Sequence, residues 1–206
     1  MIRALICDMD GVLIDSSDVH EDAWRKLFAP YGVTFDHGDY VAKGAGRSRD
    51  AVIRAVLGDR PEHDQLMERK ADLARVALAR DGVSTIPGAA ELVARARAAG
   101  LPVAVGSSSR MATEFLRGAG LFDLFDFVVD RNDTERGKPA PDIFLEVVRR
   151  LGVPAAECLV IEDTPAGIEA AKAAGCQVVG ITTGSTRVAL SKADWVVDGL
   201  AEVGFG

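Results

Sequence analysis

Three scarcities narrow what this chain can be. It has only three cysteines in 206 residues, Cys7, Cys158 and Cys176. They are odd in number, far apart, and set in or beside apolar runs, so they are expected to be reduced core thiols of a cytoplasmic protein and not a disulfide framework. Cys7 precedes Asp8 and is a nucleophile on paper, but its place inside an apolar run favours packing. Basic residues are the minority: 24 Lys and Arg stand against 31 Asp and Glu, a net charge of −7. Nucleic acid and membrane surfaces are therefore not expected partners, and any small anionic ligand has to be held by a few well-placed cations and backbone N–H groups. Long hydrophobic runs are missing as well. No segment nears the ~20 apolar residues that span a bilayer, and residues 2–7 open on a strand-like run without the basic-then-apolar plan of a signal peptide.

What is present is ordinary globular material, 48% hydrophobic and 27% charged, in a length that suits a core domain carrying a smaller inserted one. From residue 88 onward, short apolar runs alternate with helical patterns. The runs fall at 101–105, 127–129, 158–161, 177–181 and 195–197, with helices expected near 110–117, 141–151 and 165–174. Continuous apolar runs separated by helices are the mark of parallel strands buried on both faces. The fold class is α/β: a doubly wound, Rossmann-like parallel sheet. Helix ends agree, with Thr164-Pro165 as an N-cap and first-turn proline, Gly175 as a stop, and Gly100 and Gly152 closing the helices that begin near Gly88 and Pro141. Residues 15–80 break the alternation. They carry helix-period segments at 19–28, 49–57 and 64–79, loops at 30–35 and 41–48, and no convincing strand. The expected division is a core of residues 1–14 and 81–206 with an all-helical cap, residues 15–80, inserted after the first strand, where it can serve as a lid.

Four polar clusters follow predicted strands. Asp8 and Asp10, in Asp8-Met9-Asp10-Gly11-Val12, leave the first strand two apart, and Gly11 lets the chain turn so that both face a crevice; a surface turn is the plainer alternative. Ser107, Ser108, Ser109 and Arg110 stand between a buried run and a helix, as a phosphate cradle or as simple helix capping. Lys138, between Gly137 and two prolines, is either a fixed cation for a transferring phosphoryl group or a solvated lysine. Glu162 and Asp163 end a strongly apolar strand, where a hard cation gives paired acids a reason, as helix capping by Asp163 also would. All four fall at one edge of one predicted sheet. Two acidic clusters, a hydroxyl and a lysine meeting there make a phosphoryl-transfer site.

As DMDGV, VGSSSR, GKPAPDIF and IEDTPAGIEAAKAAG, these clusters resemble the four motifs of the haloacid dehalogenase-like hydrolases over nearly the whole chain. The resemblance implies Asp8 as the nucleophile that becomes an aspartyl phosphate, Asp10 as general acid and base, and Ser107 and Lys138 as phosphate ligands. It implies Mg²⁺ held by Asp8, the Asp10 carbonyl, Asp163 and Glu162. Dehalogenases of the family do not need the second aspartate, so Asp10 points to phosphate chemistry. The insertion resembles the cap of the β-phosphoglucomutase-like branch, which includes sugar-phosphate phosphatases. In it His20, the run Lys43-Gly44-Ala45-Gly46-Arg47, and Lys70 are similar to cap elements of that mutase: Arg47 would grip a second phosphate, and Lys43, His20 and Lys70 would meet the sugar or the site. His20 as a plain helix-face residue and Lys70 as a solvated charge are the plainer alternatives. The loop before Lys43 differs from the mutase pattern, and Asp50 stands where the mutase has a hydroxyl. The expected activity is thus Mg²⁺-dependent phosphatase action on a small phosphorylated metabolite, by a monomer or weak dimer. A mutase is the alternative, and a phospho-accepting signalling module or a non-catalytic sensor the alternative of another class.

Overall fold

A computed structural model of the chain describes residues 1–44 and 48–206. The strands are β1 (Ala4–Cys7), β2 (Ile14–Asp15), β3 (Ser84–Thr85), β4 (Val103–Gly106), β5 (Phe127–Val129), β6 (Cys158–Glu162), β7 (Gln177–Ile181) and β8 (Trp195–Val197). The helices are α1 (Ser17–Phe28), a single turn α2 (His37–Asp39), α3 (Arg49–Leu57), α4 (His63–Asp81), α5 (Ala89–Ala98), α6 (Ala112–Gly118), α7 (Asp142–Leu151) and α8 (Pro165–Ala173). They form two compact units: Met1–Asp15 with Ser84–Gly206, and Ser16–Val83.

The first unit is built on a six-stranded parallel sheet in the order β5-β4-β1-β6-β7-β8. Side chains of a strand alternate between faces. Ala4, Ile6, Ala104, Val160 and Val178 enter one core cluster with Ile143, Phe144 and Val147 of α7 and Ile168 and Ala171 of α8. The intervening Leu5, Cys7, Val103, Val105, Leu159 and Ile161 are equally buried, so both faces are covered and the runs carry no polar alternation. The doubly wound α/β class is the observed one. All three cysteines are free and buried. Burial, reinforced by the Asp8 carboxylate, raises the Cys7 thiol pKa far above its usual value, which leaves it a protonated packing group.

The topology also locates the crevice. β1 lies between β4 and β6, and the chain winds outward from β1 in both directions, the switch point at which open α/β sheets bind ligands at the carboxyl ends of their strands. A ribbon of two residues per strand, β2 against β3, joins Ile14 to Thr85 and Asp15 to Ser84 where the chain leaves and re-enters this unit.

The second unit is helical. Trp24, Leu27 and Phe28 of α1 pack with Phe35, Val52, Ile53 and Leu66, with Trp24 and Phe28 stacked at 5.4 Å and Phe28 tilted against Phe35 at 5.2 Å. Its described residues hold no strand. It starts one residue after the expected boundary and ends three residues past it, because α4 runs on to Asp81. The expected loop at 41–48 begins as a π-helical turn, Tyr40–Gly44, and residues 45–47 lie outside the described residues.

Candidate active site

β1 delivers Asp8 to the rim. Cys7 is in register with Val105 and Ile161, so Asp8 stands level with Gly106 and Glu162, and its N–H donates to the Ile161 carbonyl at 3.0 Å. The chain then turns sharply. Met9 O accepts from Leu13 N at 2.9 Å and Ile14 N at 3.1 Å, and Gly11 takes a left-handed φ of 77° that a side chain would strain. This turn carries Asp10, half-buried, beside the same rim.

Lys138 ties the rim together. Its ammonium donates to Asp8 Oδ1 at 2.5 Å, to Glu162 Oε1 at 2.5 Å and to the Gly106 carbonyl at 3.1 Å, 4.8 Å from the centroid of the Phe144 ring. With its side chain 8% exposed, it is not a solvated lysine. Burial disfavours the ammonium, but Asp8 and Glu162 outweigh that and hold its pKa above the ordinary value.

Glu162 ends β6 with its other oxygen fully engaged: Oε2 accepts from Asp163 N at 3.0 Å, Thr164 N at 3.1 Å and Thr164 Oγ1 at 2.9 Å. Thr164, not Asp163, caps α8, its Oγ1 accepting from Gly167 N at 3.1 Å, so helix capping does not explain Asp163. Asp163 is buried, and its Oδ1 has no hydrogen-bond partner. Such an atom is costly unless something charged meets it.

Asp8, Glu162 and Asp163 each offer an oxygen within 4.8 Å of the others. Burial first, then the neighbouring acids, push Asp8 up to about 7, against the pull of Lys138. The same causes push Asp163 up to about 9. Three carboxylates sharing one lysine leave an excess of negative charge in a closed space. A hard divalent cation with oxygen ligands fits that donor set and the unpartnered Asp163 oxygen. Asp8, Glu162 and Asp163 could hold it, although the Glu162 oxygens also serve Lys138 and the β6–α8 turn.

The serine segment differs in detail. Ser107 is buried, Ser109 half-buried, and Ser108 and Arg110 exposed. Ser107 Oγ accepts from Ser109 N at 3.1 Å and Ser109 Oγ from Met111 N at 3.2 Å, local turns that delay α6 to Ala112. A helix N-terminus at Arg110 is therefore corrected to one two residues on. The Arg110 guanidinium donates to Asn132 Oδ1 at 2.9 Å.

In the helical unit, Lys70 is 3% exposed, which overturns the solvated alternative. Its Nζ lies 2.8 Å from His20 Nδ1 and 4.8 Å from the Trp24 centroid. A lysine only donates, so Nδ1 accepts and the imidazole proton sits on Nε2. Burial, then Lys70 and Arg49, depress the His20 pKa well below its usual value and keep the ring neutral. Lys43 is exposed and paired with Asp39 at 2.6 Å. Gly44 packs against the Tyr40 ring, where a Cβ would come within 2.7 Å of it. Asp50 is held by Arg54 at 3.1 Å and His63 at 2.8 Å. Arg47 lies outside the described residues.

Two contacts at the rim have no counterpart in the motifs. The Thr183 hydroxyl, after β7, donates to the Gly11 carbonyl, and Gly184 lies against the Asp163 carboxylate. Their only sequence signal is position, just past a predicted strand.

Parallel sheet, switch-point rim and acid–lysine cluster define a doubly wound hydrolase core, and the comparisons agree. Residues 2–175 match the family model of the haloacid dehalogenase-like hydrolases. The chain belongs to that family, and is therefore an enzyme. It is 33% identical to protein CbbY of Rhodobacter capsulatus, over 97% of this chain and 94% of that one. It is 34% identical to the fructose-1-phosphate phosphatase YqaB of Escherichia coli, over 86% and 95%. Among solved structures, a β-phosphoglucomutase from Clostridium difficile superposes with a TM-score of 0.86 at 29% identity, covering 100% of this chain and 94% of that one. These relatives place it on the β-phosphoglucomutase-like, sugar-phosphatase side of the family.

Proposed function

We propose that this enzyme is a phosphatase of sugar-phosphate type that works through an aspartyl phosphate on Asp8 and depends on Mg²⁺. The observation that carries the reading is the buried Asp8 carboxylate, fixed by Lys138 at 2.5 Å beside the unpartnered Asp163 oxygen. One Asp8 oxygen attacks phosphorus and the ester oxygen leaves with a proton from Asp10. Water, losing its proton to the now ionised Asp10, then attacks the same phosphorus, releases inorganic phosphate and returns Asp8 to its carboxylate. The Ser107 hydroxyl holds a non-bridging oxygen, and Lys138, which turns one of its three donors from its present acceptors to the phosphoryl group, offsets the charge. The cation, when bound, supplies positive charge that allows an anionic phosphoryl group to approach a carboxylate.

By the family resemblance we assign substrate contacts in the helical unit to His20, Lys43, Gly44, Arg47 and Lys70, and, in the first unit taken by itself, contacts beside the phosphate to Ser108, Ser109 and Arg110. The kinship to YqaB, a fructose-1-phosphate phosphatase, supports a sugar phosphate. A second reading, mutase action, is favoured by the β-phosphoglucomutase likeness. Asp50, standing where the mutase has a hydroxyl and paired with Arg54 and His63, weakens that second reading.

A panel of sugar phosphates assayed with Mg²⁺ tests the reading. Inorganic phosphate is the expected product. Conversion of β-glucose 1-phosphate to glucose 6-phosphate without phosphate release would replace it with the mutase, and a stable phosphorylated chain without turnover would replace it with the signalling module.

A further inference from the structure

The Asp163 carboxylate is gripped from two sides by backbone that has no side chain. A Cβ built at Gly11 collides with Asp163 Oδ2 and Cγ, and one built at Gly184 collides with the same Oδ2. Gly11 sits in the turn after β1, and Gly184 in the turn after β7. The two turns are joined directly, because the Thr183 hydroxyl donates to the Gly11 carbonyl. The second turn is itself anchored: Thr182 N donates to Val197 O at 3.1 Å, and the Thr182 hydroxyl donates to Asp198 Oδ1 at 2.8 Å. Arg187 pairs with that same Asp198 carboxylate at 2.8 Å. A carboxylate lodged between two glycines keeps one orientation, and here that orientation leaves Oδ1 buried and without a partner.

We propose that residues 182–184 and Gly11 form a positioning clamp for Asp163, in which the Thr183 hydroxyl locks the two turns so that the carboxylate is preset to receive the divalent cation. The inference rests on the metal site assigned above and extends it to residues 182–184, which lie outside the four motifs. Groups that orient a ligand are worth about 10- to 100-fold in metal affinity when removed. Neither Gly184 nor Thr183 has a left-handed backbone, so alanine at 184 is opposed first by the Asp163 side chain and not by its own φ.

The test is isothermal titration of the full chain with Mg²⁺, with a melting curve for each variant to report folding. Thr183→Val and Gly184→Ala should each weaken Mg²⁺ binding about tenfold or more, while Thr183→Ser, which keeps the donor, restores the wild-type isotherm. Thr183 is exposed, so its valine variant is expected to fold even if alanine at 184 does not. If Asp163→Asn loses Mg²⁺ while Thr183→Val and Gly184→Ala bind it as the wild type does, the clamp is overturned and the metal site stands. If Asp163→Asn itself binds Mg²⁺ unchanged, the metal site falls, and the clamp with it.

Discussion

Lys138 is the side chain on which the charge balance of the rim turns. Its three donors go to Asp8, Glu162 and the Gly106 carbonyl, so removing it strands two buried acids. Breaking a buried ion pair from one side costs about 3–5 kcal/mol, and Lys138→Met should lose stability of that order in a denaturant titration along with all turnover. Arginine should not rescue it, since a planar guanidinium does not reproduce three donors around one nitrogen. Asp10→Asn should keep the fold and lose about 10²- to 10⁴-fold in rate, the range for a general acid and base. At this scale the sequence was informative where chemistry concentrates. Asp8, Glu162 and Asp163 are charged groups at the ends of apolar runs, and Lys138 is set between Gly137 and two prolines, so each stands out in the sequence. Thr183 and Gly184 are small residues in a loop with no periodicity, and their role arises only from the approach of two distant turns.

The turn between β6 and α8 is an element with two tasks. Thr164 caps the helix through Gly167 N and donates to Glu162, so it fixes both the start of α8 and the acid that holds Lys138. Thr164→Ala should therefore cost about 0.5–2 kcal/mol, the range for a lost N-cap. It should also lower activity, while Thr164→Ser keeps both; denaturant midpoints and rates measured together check this. Capping chemistry was readable because Thr-Pro before an apolar-periodic segment has a physical meaning. The late start of α6 was not, because Ser107 and Ser109 turn their hydroxyls onto nearby N–H groups and draw the backbone out of the helix. The β2–β3 ribbon was equally hidden, since two residues per strand show no alternation.

On the scale of the whole molecule, the acid cluster links pH, metal and stability. Asp8 and Asp163 are held up at about 7 and about 9, against about 3.8 for the ordinary carboxylate. With the metal removed, the folded chain keeps protons there that the unfolded chain has released, so this contribution is largest below the unfolded value and declines as pH rises through about 7 and about 9. The melting temperature of chelator-treated protein should fall between pH 5 and pH 9. Added Mg²⁺ should restore more of it at the alkaline end, where both ligands are ionised without competition from protons. Melting temperatures that do not change with pH in the chelated protein would show that the cluster is not strained in this way. The architecture itself was readable because strands buried on both faces leave unbroken apolar runs, which turn β1, β4, β6 and β7 into visible blocks.

The central claim is that Asp8 takes the phosphoryl group. Rapid acid quench after mixing the enzyme with a turned-over sugar phosphate and Mg²⁺, followed by mass spectrometry of the digested chain, measures it directly. One phosphoryl group is predicted on the peptide containing Asp8 at early times, absent from an Asp8→Asn variant that folds normally and does not turn over. A phosphoryl group on any other residue, or phosphate release by Asp8→Asn at the wild-type rate, would contradict the account.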